Sequence, residues 1–211
     1  MLNSYQLKRS NRRSISLRVV DGQLLVYAPL LAPRSQIEKV IAQHHGWIEK
    51  QLNRKTISIN YDLQKDEHLY LLGQQYKLLI KTERKNQILI ADGVIYLQGR
   101  SYQSIENNWR KYLCSLLDGY VDQIREELNL NFTVSYRRYK GKWGCCYHNE
   151  NRIVLNYLLA CVDEGCIREV IYHEISHFKV HNHQKAFYQQ LAEYCPDYRQ
   201  WVKQLKKYTI G

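Results

Sequence analysis

The chain has 211 residues, of which 45% are hydrophobic and 24% charged. That is long and apolar enough for a sizeable core, and it argues against disorder. The formal charge of +11 suits phosphate-rich partners as well as plain solubility. No apolar run approaches the ~20 residues that a membrane-spanning helix needs. The start, Met1-Leu2-Asn3-Ser4-Tyr5, lacks the apolar core of a secretion signal. A cytoplasmic chain is expected, its six cysteines acting mainly as buried thiols. Adjacent Cys145-Cys146 forms no paired C-x-x-C ligand set.

Taken in chain order, Ser14 to Val20 and Gln23 to Ala28 read as strands joined at Asp21-Gly22, a strong hairpin turn. After Pro33, Ser35-Gln36-Ile37-Glu38 reads as a capping box. It opens a helix expected to run through Ile41 and Ile48 to about Leu52. Short apolar segments at His68–Leu72, Tyr76–Thr82, Gln87–Ala91 and Val94–Gln98 read as further strands, with turns at Gly73 and Asp92-Gly93. Residues 103 to 128 show the clearest helical period. Ile105, Trp109, Leu113, Leu117, Val121 and Ile124 fall on one broad stripe. A small sheet is expected from Phe132–Tyr136, Trp143–Tyr147 and Arg152–Asn156. A helix around residues 166–177 and two shorter helices, 184–194 and 197–208, complete the chain. The expected class is α+β: a β-rich N-terminal region with one helix over 1–100, then a helical core with a small sheet over 101–211.

His173-Glu174-Ile175-Ser176-His177 is an H-E-x-x-H sequence. On a helix, positions i and i+4 share a face, so His173 and His177 can hold one metal ion. Glu174 can then serve as a general base toward a metal-bound water. A catalytic tetrahedral Zn2+ takes three protein ligands and leaves one position open. His183 is the better third ligand, because a chain reversal after His177 can return it to the metal. Its spacing from His173 is that of metzincins, although Val180 stands where that pattern has Gly. Asn182 can supply the turn by adopting a left-handed backbone. His181 competes, since in a continuing helix it is the next i+4 step.

Further blocks carry a resemblance. Arg138-Tyr139-Lys140-Gly141-Lys142-Trp143-Gly144-Cys145-Cys146 resembles the R-x-M-K-x-R-W-G-S-C block of YgjP-type metallopeptidases. Ile153-Val154-Leu155-Asn156 resembles their I-x-L-N strand, and Asn182-His183 their third-ligand segment. Phe187-Tyr188 resembles F-W, Pro196-Asp197-Tyr198 resembles P-D-Y, and Leu72-Gly73-Gln74-Gln75-Tyr76 resembles L-G-x-x-Y. Cys145 stands in place of the usual Ser and Gln184 in place of a small Ser; neither is a proposed ligand. The resemblance implies a zincin-like, SprT-like core. It also implies a zinc-dependent hydrolase with ligands His173, His177 and His183 and catalytic Glu174, acting on protein or peptide. The long 103–128 helix is then expected to support the metal helix. The Trp143-Gly144-Cys145 strand is expected to pair with an extended peptide, and Tyr157, Arg138 and Tyr139 are the candidates for oxyanion donor.

Charge is uneven. Residues 1–60 hold ten Lys or Arg against three Asp or Glu. Lys8, Arg9, Arg12, Arg13 and Arg18 form one cluster, and Arg137, Arg138, Lys140 and Lys142 another. These leave nucleic acid as a second partner class. Two other functions are open on these residues: a metal-dependent nucleotide phosphohydrolase, and a noncatalytic nucleic-acid-binding zinc protein. The absence of a P-loop weighs against a standard nucleotide fold. Glu174 weighs against a purely structural metal, which needs no base.

Overall fold

A computed structural model describes residues 5–20, 22–53 and 56–210. The chain packs as two compact units, 1–55 and 56–211. In the first, β1 (Gln6–Ser10), β2 (Ser16–Val20) and β3 (Gln23–Pro29) form a sheet in the order β1-β3-β2. Strand β1 is parallel to β3 and β2 antiparallel to it. Leu24, Val26 and Ala28 alternate inward along β3 and share a core with Ile37, Ile41 and Ile48. These last belong to α1 (Arg34–Gln43) and α2 (His45–Leu52). The expected single helix is thus two, interrupted at His44, whose φ of −107° and ψ of 14° leave the helical path. The expected capping box does not form. Pro33 is the N-cap without a side-chain bond, and Glu38 pairs with Arg34 instead. Gly22 holds φ +74° as a hairpin turn requires, while its neighbour Asp21 and residues 1–4 lie outside the described residues.

The second unit begins with β4 (Ile57–Ser58). It continues with β5 (His68–Leu71), β6 (Gln74–Thr82), β7 (Gln87–Ala91) and β8 (Val94–Gly99). The last four form a sheet in the order β5-β6-β8-β7. Both hairpin turns, Leu72-Gly73 and Asp92-Gly93, have positive φ at the two turn residues, as a two-residue turn of that hand demands. The long helix α3 (Tyr102–Leu128) starts at Ser101, whose hydroxyl accepts the Ser104 N–H. It ends at Asn129 in the left-handed region, φ 48°. Its stripe is as expected: Ile105, Trp109, Leu113, Leu117, Val121 and Ile124 are all buried.

Strands β9 (Thr133–Arg137), β10 (Gly144–Tyr147) and β11 (Arg152–Asn156) form a second sheet in the order β10-β11-β9, which leaves β10 at an edge. Then come α4 (Glu164–Ser176), α5 (Lys185–Tyr194), α6 (Tyr198–Leu205) and β12 (Tyr208–Thr209), which pairs with β4. The mixed α+β expectation holds. The division by packing, however, falls at 55/56 rather than 100/101. Leu69, Leu78, Ile95 and Leu97 share one core with Ile105, Trp109 and Ile167, so the second β region is inseparable from the helices.

Candidate active site

Helix α4 begins at Asp163, with Glu164 in its first turn, where negative charge is favourable. The Asp163 carboxylate accepts hydrogen bonds from Gln204 at 2.9 Å and Tyr208 at 2.7 Å. This ties the helix start to the C-terminal segment. Ile167, Ile171 and Ile175 bury the opposite face. The helix stops at Ser176, so His177 is its C-cap. No Gly or Pro marks this end. The chain turns through residues 177–183, with the Asn182 side chain accepting the Gln184 N–H at 3.2 Å. Asn182 therefore shapes the turn with its side chain, not with the left-handed backbone expected of it. Positive φ occurs at other residues.

This turn brings His183 back to His173 and His177. One ring nitrogen from each lies within 4.8 Å of the others. Nε2 of His173 and Nε2 of His183 are 3.0 Å apart. The donor set fits a tetrahedral metal with one open position, since neutral imidazoles are suitable zinc ligands. His177 Nδ1 lies 3.0 Å from the Val180 carbonyl, so its Nε2 is the nitrogen left for a metal. His181 lies outside this triangle. Its Nδ1 lies 2.9 Å from the His177 carbonyl, and its ring packs 4.0 Å from that of His148.

Phe187, which is fully buried, lies beneath all three rings. Its centroid is 4.8, 4.5 and 4.7 Å from those of His173, His177 and His183. In the sequence Phe187 stands out only through the family resemblance. The signal was its position just inside the helix that follows His183. Burial, with repulsion from His177 and His183, lowers the His173 pKa to about 4. Burial also lowers that of His177. Both rings are therefore neutral at physiological pH, the form a metal binds.

Glu174 is 8% exposed. Burial raises its pKa to about 7, against an opposing pull from Lys142. It lies in a cleft of ≈ 360 Å³ with His173, between Lys142, Trp143 and Gly144 on one side and Val202 and Leu205 on the other. Gly144 makes the close approach possible. A methyl group there would come within 2.6 Å of Glu174 Oε1. Asn156, fully buried, fastens this wall of the cleft. Its Nδ2 donates to the carbonyls of Tyr139 at 3.0 Å and Lys142 at 3.2 Å. Its backbone N–H donates to the Trp143 carbonyl at 2.7 Å. The final residue of the I-x-L-N block thus fixes a loop far from it in sequence, something a lone Asn does not announce.

The family comparison decides between a bare constellation and a metallopeptidase. A family model described as "YgjP-like, metallopeptidase domain" matches residues 13–208. The chain belongs to the YgjP-like metallopeptidase family. A metal ion, and protein or peptide substrates, follow from membership at the level of the family. Two solved structures are similar to part of this YgjP-like chain. The metallopeptidase zymogen of Methanocaldococcus jannaschii jannalysin is 24% identical, with a TM-score of 0.36, over 42% of this chain and 94% of its own. The zymogen of Pyrococcus abyssi abylysin is 13% identical, with a TM-score of 0.36, over 45% and 99%. A search of curated proteins finds no match.

Other expectations fare differently. Tyr157, Arg138 and Tyr139 do not line the cleft. Arg138 bonds Asn60, and burial raises the Tyr157 pKa against an opposing pull from Arg138. All six cysteines are free thiols. Burial, with the nearby Glu174, pushes Cys146 up to about 12, which keeps it protonated and a poor nucleophile or ligand. No described helix is long and apolar enough to cross a membrane. Within the basic N-terminal cluster, Lys8, Arg12 and Arg18 lie 6.0, 5.7 and 5.6 Å from the Tyr27 ring centre. Arg9 is occupied elsewhere, donating to the carbonyls of Pro29, Leu30 and Ala32.

Proposed function

We propose that this protein is a zinc-dependent peptidase in which His173, His177 and His183 hold Zn2+ and Glu174 is the general base. The observation that carries the reading is the convergence of three imidazole nitrogens within 4.8 Å, beside a buried carboxylate on the next helical residue. A bound zinc lowers the pKa of water toward ~7 and polarises a carbonyl. Glu174 accepts a proton from the attacking water at its carboxylate and returns it to the leaving nitrogen. Its raised pKa suits both halves of that transfer near neutral pH. The buried cleft wall excludes bulk water from the carboxylate. The free edge of β10 pairs with an extended peptide through backbone hydrogen bonds. Lys142 supplies positive charge at the rim.

The test exposes zinc-loaded protein and its Glu174→Gln variant to a peptide library and to nucleotides. Peptide cleavage by the wild type alone supports the reading. Hydrolysis of nucleotides with peptides intact replaces it with a phosphohydrolase. Zinc uptake with neither activity replaces it with a binding protein. A separate function for the first unit, weak and sequence-independent binding of nucleic acid, is supported by the three cations gathered around Tyr27. Phosphate neutralisation drives such binding and makes it salt-dependent.

A further inference from the structure

Glu169 stands one helical turn before His173 on the same face of α4. Its side chain is 3% exposed. Its Oε1 has no hydrogen-bond partner among the described residues. A buried carboxylate oxygen without a donor is costly, and in a native fold it calls for a reason. The atom it faces is Nδ1 of His173, at 3.8 Å. That is longer than a hydrogen bond, but a small side-chain rotation closes it. The other nitrogen of the same ring, Nε2, points the opposite way, 3.0 Å from Nε2 of His183. The His173 ring therefore stands between a carboxylate and the centre of the histidine triangle.

We propose that Glu169 is the positioning residue for His173. It accepts the Nδ1–H, selects the tautomer whose Nε2 is bare, and sets the plane of the ring toward the metal. This inference rests on the reading of the three histidines as metal ligands. His177 offers an internal parallel, with its own Nδ1 3.0 Å from the Val180 carbonyl. A carboxylate is the stronger acceptor of the two and makes the opposite nitrogen more basic toward a metal. The role also gives a reason for a buried acid whose Oε1 finds no donor among the described residues. Its partner is the ligand, and the bond tightens when the ring is drawn to the ion.

Two variants of the full chain test this. Glu169→Gln keeps the shape and an acceptor but loses the charge. Glu169→Met keeps the approximate length and loses the acceptor. Zinc affinity, measured by competition with a chelator, should fall in the order Glu, Gln, Met. The Met variant should bind ~10–100-fold more weakly than wild type. Denaturant stability of the metal-free variants should be equal to wild type or higher, because a buried carboxylate is gone. Nitrogen chemical shifts of His173 in the metal-free protein should show the Nδ1-protonated tautomer in wild type, and a move toward Nε2 protonation in Glu169→Met. A merely architectural Glu169 would lower stability and leave the folded protein's affinity and the tautomer untouched. Equal zinc affinity in wild type and Glu169→Gln, with an unchanged tautomer in either variant, overturns the proposal. A wild type that takes up no zinc overturns the ligand reading itself, which is a separate and recognisable failure.

Discussion

The two units bury different things. The interior of the first is apolar throughout: Leu24, Val26, Ala28, Ala32, Ile37, Ile41 and Ile48. Its described charges lie mostly outside, three of them around Tyr27, with the Nε of half-buried Arg12 as the exception. The interior of the second holds Asn156, Glu169, Glu174 and Ser176, and these are the buried polar and charged residues among those described. All four fall on α4 or on the strand end that fastens its cleft. Burying such groups opposes folding unless each has a partner or a task. Departures from a purely apolar interior therefore gather at the cleft proposed as the active site. The first unit shows the cheaper arrangement, in which charge stays in water and acts through its field.

The sharpest way to break this contrast is to neutralise the buried acid. Glu174→Gln should keep its metal and lower peptide hydrolysis by ~10²–10⁴-fold, read from initial rates on a verified substrate. Unchanged turnover would leave the second unit with a buried acid and no task for it. Next in size is the third ligand. His183→Ala should weaken zinc binding by more than the ~10–100-fold expected for losing an outer partner. His181→Ala should leave occupancy nearly unchanged by elemental analysis. The reverse order would move the site to the surface pair His148 and His181.

A third prediction concerns pH and the metal-free protein. The folded-state pKa of Glu174 is about 7, above the ordinary carboxylate value of 4.5. Between these values the folded chain holds a proton that the unfolded chain has released. The contribution of Glu174 is thus complete at low pH and is lost as pH rises through 7. His173 works the other way: its folded value of about 4 adds stability as pH rises from there through ~6.5. Glu174→Gln removes the first slope and also reduces that of Glu169, which burial and the Glu174 charge together raise to about 7. Metal-free variant and wild type should match near pH 4, and the variant should be more stable at pH 8 by up to ~3 kcal/mol. Urea titrations at the two pH values measure this, and a variant less stable at pH 8 contradicts it.

The smallest effect belongs to the first unit. Replacing Lys8 and Arg18 with Ala should weaken anisotropy-detected binding of single-stranded and duplex DNA several-fold at low salt and flatten its salt dependence. Zinc content should not change. Arg9 is a poor choice for this test, because it holds the carbonyls of Pro29, Leu30 and Ala32. No binding at low salt would reduce the cluster to a solvated surface.

What the sequence discloses follows from how local the physics is. His173 and His177 are legible because four residues make one helical turn. The α3 stripe is legible for the same reason, repeated over many turns. The choice between His181 and His183 was not closed by sequence, because α4 ends at Ser176 without Gly or Pro. Its end is set by the turn that Asn182 shapes. Glu169 is not legible in the sequence, because an acid on a helix ordinarily faces water. The available signal was its place four residues before His173. Strand β1, Gln6–Ser10, shows no apolar alternation and owes its form to pairing with β3. A division at 100/101 separates strands from helices in the sequence, whereas packing joins β8 to α3.

The open edge of β10 has a further consequence, for self-association. An unpaired strand edge that can receive a peptide can also receive the same edge of another copy. The strand itself, Gly144–Tyr147, carries no charge and includes two cysteines, so nothing within it opposes such pairing. The residues leading into it do: Arg137, Arg138, Lys140 and Lys142 place four cations immediately upstream. Parallel in-register stacking would bring these like charges together, and lysines beside an edge are a common defence against aggregation. The same cations leave the approach open to a neutral or acidic peptide. The segment proposed to admit a substrate thus carries charge that opposes such pairing with a second copy.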